Sequence, residues 1–148
     1  MSLDVGDLLL QTVPFARTLG ITFSSTGDGR ATCVLPDRPD LHNHIGGPHA
    51  GAMFTLAESA SGAAMLSVFG DQLDRAVPLV ATSAVRYVKL AKGEITAEAH
   101  LRAERADVVA RLDAGERAEF GVEVDVRDAG GTTVATLTVT WTLRPNRA

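Results

Sequence analysis

The segment from His49 to Gly70, HAGAMFTLAESASGAAMLSVFG, limits what this chain can fold into more than any other part of it. Small and apolar residues cover nearly every face of the helix it predicts, the pattern of a helix buried on most sides. Ala50, Gly51, Ala57, Ala60, Ser61, Gly62, Ala63 and Ala64 let other backbone come close. Such a helix needs a cover. It also carries an oddity: Glu58 is the one formally charged side chain between Asp40 and Asp71. An unpaired buried charge costs several kcal/mol, so this carboxylate must be paired, protonated or employed. Isolation of this kind marks an active-site candidate. The competing reading is a carboxylate paired with a strand Arg or a His for structure alone. The stretch is long enough to span a bilayer, yet it holds Glu58 and several serines and lacks flanking Lys or Arg, so it reads as a core helix and no membrane partner is expected.

The cover comes from alternating segments. Residues 94–104 set Ile95, Ala97, Ala99 and Leu101 against Glu94, Thr96, Glu98, His100 and Arg102. Phe120, Val122, Val124 and Val126 repeat the theme, and residues 132–143 oppose Ala135, Leu137, Val139, Trp141 and Leu143 to a threonine ladder at 136, 138, 140 and 142. Residues 79–90 are a further strand candidate, and each strand is expected to have one apolar and one polar face. Upstream, residues 4–18 predict one short amphipathic helix with Asp4 as N-cap. Residues 21–25 and 30–35 flank Thr26-Gly27-Asp28-Gly29 as a hairpin. Between Arg105 and Arg117 a short helix is expected. The loop of residues 36–48 carries three prolines, two glycines and two of the four histidines, and a loop this long in a compact domain is more often functional than not. The resulting expectation is an α+β fold, an antiparallel sheet wrapped around one buried helix, in a single domain over residues 1–148. Met1-Ser2-Leu3 carries no weight in it.

Composition narrows the partners. A net charge of −4 without a Lys/Arg cluster argues against nucleic acid. The one cysteine, Cys33, builds neither a disulfide framework nor a multi-Cys zinc site and reads as a small buried strand residue. His42 and His44 suggest metal, but spaced carboxylate or Cys partners are missing, so no metal site is assigned. The N-terminal sequence has no basic region followed by a long apolar run, and the cytoplasm is the expected location.

Asn43-His44-Ile45-Gly46-Gly47-Pro48-His49-Ala50-Gly51, followed by Glu58, resembles the pattern of hotdog-fold acyl-thioester hydrolases, in the branch similar to phenylacetate-pathway thioesterases. That pattern has an Asn, a His-Gly-Gly six residues on, and an acid nine residues after that His. Val85-Arg86-Tyr87-Val88-Lys89-Leu90-Ala91-Lys92-Gly93 looks like the family's strand ending in an aromatic, a basic corner and Gly. Ala50 stands in place of the first glycine, and the acid is Glu rather than the commoner Asp.

Thioester hydrolysis needs a donor for the developing oxyanion and a base or nucleophile opposite it. A helix starting near Pro48 offers free amides and a positive dipole end. The resemblance assigns the oxyanion to the Ala50 N–H and implies that Glu58 acts from a partner subunit as general base or nucleophile. Within one helix the two lie ~12 Å apart at 1.5 Å per residue. It implies that Asn43 orients the lytic water or the carbonyl, with His49 either catalytic or a structural helix-terminal residue, and Gly51 and His44 in substrate binding. A homodimer, or two such dimers paired into a tetramer, is expected, with coenzyme A present as part of the substrate and no separate cofactor. Arg86, Lys89, Lys92 and Arg102 are available for its phosphates, none assigned. Two alternatives stay open: a non-catalytic acyl-thioester binding module, and a hydroxyacyl-thioester dehydratase using His44 and Glu58.

Overall fold

Strand residues that alternate in the sequence alternate in space. Burial runs in strict period along β2 (Arg30–Leu35), β4 (Ile95–Arg102) and β5 (Ala118–Arg127), with Ala97, Val122 and Val124 inward and Glu98, Glu123 and Asp125 outward. In the computed structural model, which describes residues 4–146, these strands join β1 (Thr22–Gly27), β3 (Ala76–Tyr87) and β6 (Thr133–Pro145) in one antiparallel sheet of order β1-β2-β4-β5-β6-β3. Met1-Ser2-Leu3 lies outside the described residues. The central helix, Ala50–Phe69, lies on the apolar face, packed chiefly on β2, β4 and β5. This is the α+β hotdog arrangement. The helix is long and apolar enough to cross a membrane, but 67% of its span is buried, as a core helix requires.

The N-terminal segment departs from the single helix expected for residues 4–18. It forms α1 (Val5–Thr12) and α2 (Pro14–Thr18), separated by Val13 in an extended conformation. Pro14 explains the break, because a proline ring disfavours the helical conformation of the residue before it and is itself at home in a first turn. The Asp4 carboxylate caps α1, accepting from the Asp7 amide at 3.0 Å. The central helix is therefore α3, and Arg105–Asp113 is α4. Arg105 ties α4 to the end of α3 through a forked pair with Asp71, 2.7 and 2.9 Å.

β3 differs from the expectation more deeply. It begins at Ala76 and ends at Tyr87, and most of it is exposed on both faces, with Leu79 at 42% and Tyr87 at 46%. It is a sheet edge, and an apolar one. The opposite edge, β1, carries Ser24, Ser25 and Thr26 instead. Thr142 also departs from the ladder expected to face solvent: it is buried, and its hydroxyl donates to the Leu79 carbonyl at 3.1 Å.

Cys33 sits on β2 under α3, its thiol directed at the Leu56 carbonyl and pushed up in pKa by burial. A longer-range tie joins β6 to α3. The Trp141 indole N–H donates to the Ser61 hydroxyl at 3.1 Å, and that hydroxyl donates to the Glu58 carbonyl at 2.7 Å. Trp141→Phe removes one buried hydrogen bond worth about 1 kcal/mol. The melting temperature is expected to fall by roughly 2–4 °C, measured by calorimetry.

Candidate active site

The loop of residues 36–48 is ordered by its own polar groups. Arg38 clamps Asp40, a short helical turn spans Pro39–Leu41, and His42 bridges to Pro48. Inside that bridge the Asn43 side chain accepts from the amides of Ile45 at 3.0 Å and Gly47 at 3.1 Å, and its Nδ2 donates to the Pro48 carbonyl at 3.4 Å. Short polar side chains favour such local turns. Gly47 is required here by close approach, since a Cβ at that position would meet the Ala91 carbonyl oxygen at 2.9 Å.

The loop delivers the chain to the start of α3 with His49 as N-cap. The His49 Nδ1 accepts from the Gly51 amide at 2.8 Å, which puts the proton of the neutral ring on Nε2. The Gly51 donor is thus occupied. The Ala50 amide, in the first turn where no intrahelical acceptor exists, meets none among the described residues. From the other side the Tyr87 hydroxyl donates to the Ala50 carbonyl at 3.0 Å and fastens the end of β3 to the helix start. Burial raises the Tyr87 pKa. Asn43, Ala50, Met53, Tyr87, Lys89 and Lys92 line one open groove of about 560 Å³.

Glu58 lies elsewhere. It lines a separate, largely apolar cavity of about 350 Å³ between α1 and α3, together with Leu9, Ser59, Gly62, Pro78 and Trp141. The carboxylate has no hydrogen-bond or ion-pair partner among the described residues, and burial alone raises its pKa above the ordinary glutamate value. The structural pairing with an Arg or His weighed above is absent among those residues.

Of the positions singled out in the sequence, one chain brings together Asn43 and Ala50 and holds Glu58 apart. His49 and Gly51 line a third groove with Phe15 and Thr55. His44 is exposed on the loop and lines none of these three cavities. His42 pairs with Asp37 at 2.6 Å. Among the described residues, no three His, Cys, Asp or Glu side chains are grouped to hold a metal. Sequence reasoning left Ser59 and Met53 unmarked and Lys89 and Lys92 unassigned. The two lysines flank the basic corner after β3, so their spacing carried a signal; Ser59 carried none.

Solved structures share this architecture. PA5026 of Pseudomonas aeruginosa, a protein of unknown function described as a probable thioesterase, is 31% identical over 96% of this chain and 94% of its own, with a TM-score of 0.83. The conserved protein PA5202 of the same organism is 28% identical over 87% of this chain and 92% of its own, TM-score 0.71. The E. coli PaaI protein from the phenylacetic acid degradation operon covers 91% of this chain and 87% of its own at 18% identity and TM-score 0.72, a likeness of fold alone. No curated protein matches the chain in sequence. The family described as Domain of unknown function (DUF4442) matches residues 5–143, and the chain belongs to it.

Proposed function

We propose that the protein hydrolyses acyl-thioesters of the coenzyme A type at sites shared between two copies of the chain, within the thioesterase-like hotdog family that its neighbours suggest. One observation carries the reading: the amide donor and the carboxylate that thioester hydrolysis needs are both present and, among the described residues, unpartnered, but they line different cavities of one chain. The apolar edge strand β3 supplies the join. Two copies paired antiparallel through β3 about a two-fold axis bring the Tyr87 end of one strand to the Pro78 end of the other. Tyr87 lines the Ala50 groove and Pro78 lines the Glu58 cavity, so the same pairing runs each groove into the partner's cavity.

In this arrangement the thioester carbonyl lies with its oxygen at the Ala50 N–H, aided by the positive end of the α3 dipole. The partner's Glu58 takes a proton from water as the water oxygen adds to the carbonyl carbon. Collapse of the oxyanion breaks the C–S bond, and the thiolate leaves with that proton. In the nucleophilic version the carboxylate oxygen adds to the carbonyl carbon, and collapse breaks the C–S bond and expels the thiolate to leave a mixed anhydride. Water then cleaves the anhydride to the acid and the free carboxylate, its released proton going to the thiolate. Asn43 holds the donor loop in shape and orients the water or the carbonyl with its remaining Nδ2 hydrogen. His49 keeps the neighbouring Gly51 amide occupied, leaving Ala50 as the free donor. Lys89 and Lys92 at the groove and His44 beside it suit the phosphates of the coenzyme.

Glu58→Gln keeps the shape and removes the base. Thiol release is expected to fall by roughly two orders of magnitude or more. A group whose folded pKa is raised contributes most to stability below its ordinary value and loses that contribution as pH rises through the raised one. The glutamine variant should therefore melt above wild type at neutral pH, the gap closing in acid. Wild-type kcat/KM should fall on acidification through that same raised pKa. Full turnover with unchanged melting would remove Glu58 from the mechanism.

Ala50→Pro deletes the donor with little harm to the helix. His49 is already extended, at φ −66 and ψ 140, as a residue before proline must be, and position 50 opens the first turn. Turnover is expected to drop about 100-fold to 1000-fold, with Ala50→Gly near wild type. A well-folded proline variant at full rate would place the oxyanion elsewhere.

Mixing the two inactive variants tests the sharing directly. After subunit exchange, half of the dimers combine one chain of each kind, and each such dimer holds one intact site. Activity should return to about a quarter of wild type for a two-fold dimer. No recovery, or a stable monomer in sedimentation at micromolar concentration, would defeat the shared site.

A further inference from the structure

We infer that the cavity between α1 and α3 is the acyl-group pocket and that the Ser59 hydroxyl selects, within it, compact acyl groups bearing a hydroxyl or carbonyl oxygen. The assignment to an acyl group rests on the hydrolase reading, which puts the thioester carbonyl beside Glu58; the existence and polarity of the pocket do not.

Ser59 is the observation that carries it. α3 bears four hydroxyls, and a helical Ser or Thr readily donates to a carbonyl three or four residues back. Thr55 donates to Gly51 at 2.9 Å, Ser61 to Glu58 at 2.7 Å and Ser67 to Ala64 at 2.7 Å. Ser59 does not. It is 2% exposed, and its Oγ is the one buried side-chain polar atom without a partner among the described residues. A buried hydroxyl left unpaired costs stability, and such exceptions point to a ligand or an unfilled function. Ser59 lines the cavity whose other walls are Leu8, Leu9, Met65, Leu66 and the Trp141 ring. Thr12, also on its wall, has its hydroxyl committed to the Leu8 and Leu9 carbonyls. Beyond Glu58, Ser59 is thus the polar side chain in that wall without a partner among the described residues. Its Oγ has almost no accessible surface as it stands and meets a ligand, as donor or acceptor, by rotation about χ1 toward the cavity.

Size follows from the same walls. At about 350 Å³ the cavity lies at the small end of the ~300–1,000 Å³ usual for ligand pockets. Gly62 keeps it open: a Cβ there would stand 3.4 Å from Leu9 Cδ1 and 3.5 Å from Trp141 Cζ2, in ordinary contact with both walls. A methyl group at position 62 fits without moving backbone and narrows the space between them.

Trp141 is the single tryptophan of the chain, so its fluorescence reports occupancy without any need for turnover. The full-length protein is titrated with butanoyl- and β-hydroxybutanoyl-coenzyme A, and with benzoyl- and para-hydroxybenzoyl-coenzyme A, at a pH where hydrolysis is slow or in Glu58→Gln. Tighter binding of an oxygenated member by about 10-fold is expected in at least one pair. Ser59→Ala should abolish that preference, leave the plain member within about 2-fold, and raise the melting temperature by removing an unpaired buried hydroxyl. Gly62→Ala should also raise the melting temperature, through helix propensity, and weaken the aryl pair more than the butanoyl pair. No Trp141 response to any of the four, no preference in either pair, a preference that survives in Ser59→Ala, or equal effects of Gly62→Ala on both pairs would each overturn the inference. Binding with the expected pattern but no thiol release by wild type leaves the pocket standing and removes the hydrolase reading. Thiol release indifferent to Ser59 does the reverse.

Discussion

Desolvation of the Glu58 carboxylate is the constraint around which the molecule is arranged. An acid in the middle of a buried apolar helix is tolerated here with no counter-charge among the described residues, and its raised pKa has burial as its cause. Had an arginine from the sheet reached it, the charge would be stabilised and the carboxylate made a weaker base. The sheet instead spends its charges on the outer face, where Arg102 pairs with Glu123 and Arg127 with Glu98 across strands. Those exposed pairs contribute little to stability. Their location matters more, because among the described residues it leaves the inner face and the helix without a cation to quench Glu58.

The helix imposes a second limit. Its first-turn amides and its mid-helix carboxylate are held at a fixed separation by the same hydrogen-bonded backbone. No side-chain rotation brings both to one carbonyl carbon. In the proposed dimer a second helix running the other way would remove the conflict, with the two copies joined at the edge strand. β3 is apolar on faces that none of the described residues covers, whereas β1, at the other edge, is polar. That asymmetry between two edges of one sheet is the ground on which the proposed pairing is placed at β3.

Much of this was legible in the sequence, and the parts that were not share a reason. β4, β5 and β6 have both neighbours within the chain, so alternation of Ile95, Ala97 and Ala99, or of Val122, Val124 and Val126, reports their faces directly. β3 lies outside the strands that α3 packs on, so the one-faced pattern expected for it failed along most of its length. Pro14 announced the break between α1 and α2, but the run of Val5, Leu8, Leu9, Val13 and Phe15 masked it, since apolar spacing continues across the kink. Glu58 was legible because a charge in an apolar run is a one-dimensional oddity. Ser59 was not, because a serine in a helix normally satisfies itself, and whether it does depends on a rotamer that no sequence records. Asn43 stood between: asparagine is a residue type that favours turns, and its two amide partners make it a turn-former here, while any contact with substrate lies in the proposed dimer.

Three departures from helix stability therefore fall on one wall of α3. Gly62 in a helix interior costs about 1 kcal/mol relative to alanine. An unpaired hydroxyl such as that of Ser59 costs roughly 1–3 kcal/mol. A desolvated carboxylate such as Glu58 adds a further penalty. They occur at i, i+1 and i+4 and line the same cavity. Elsewhere on the helix the choices are Ala57, Ala60, Ala63 and Ala64, good helix formers that pack closely and leave nothing unpaired. Stability alone would not gather its exceptions in one place, since each could be relieved separately by Ala or Gln without disturbing the sheet. Local rules broken together, against a background where they hold, are the pattern on which the proposed acyl pocket rests.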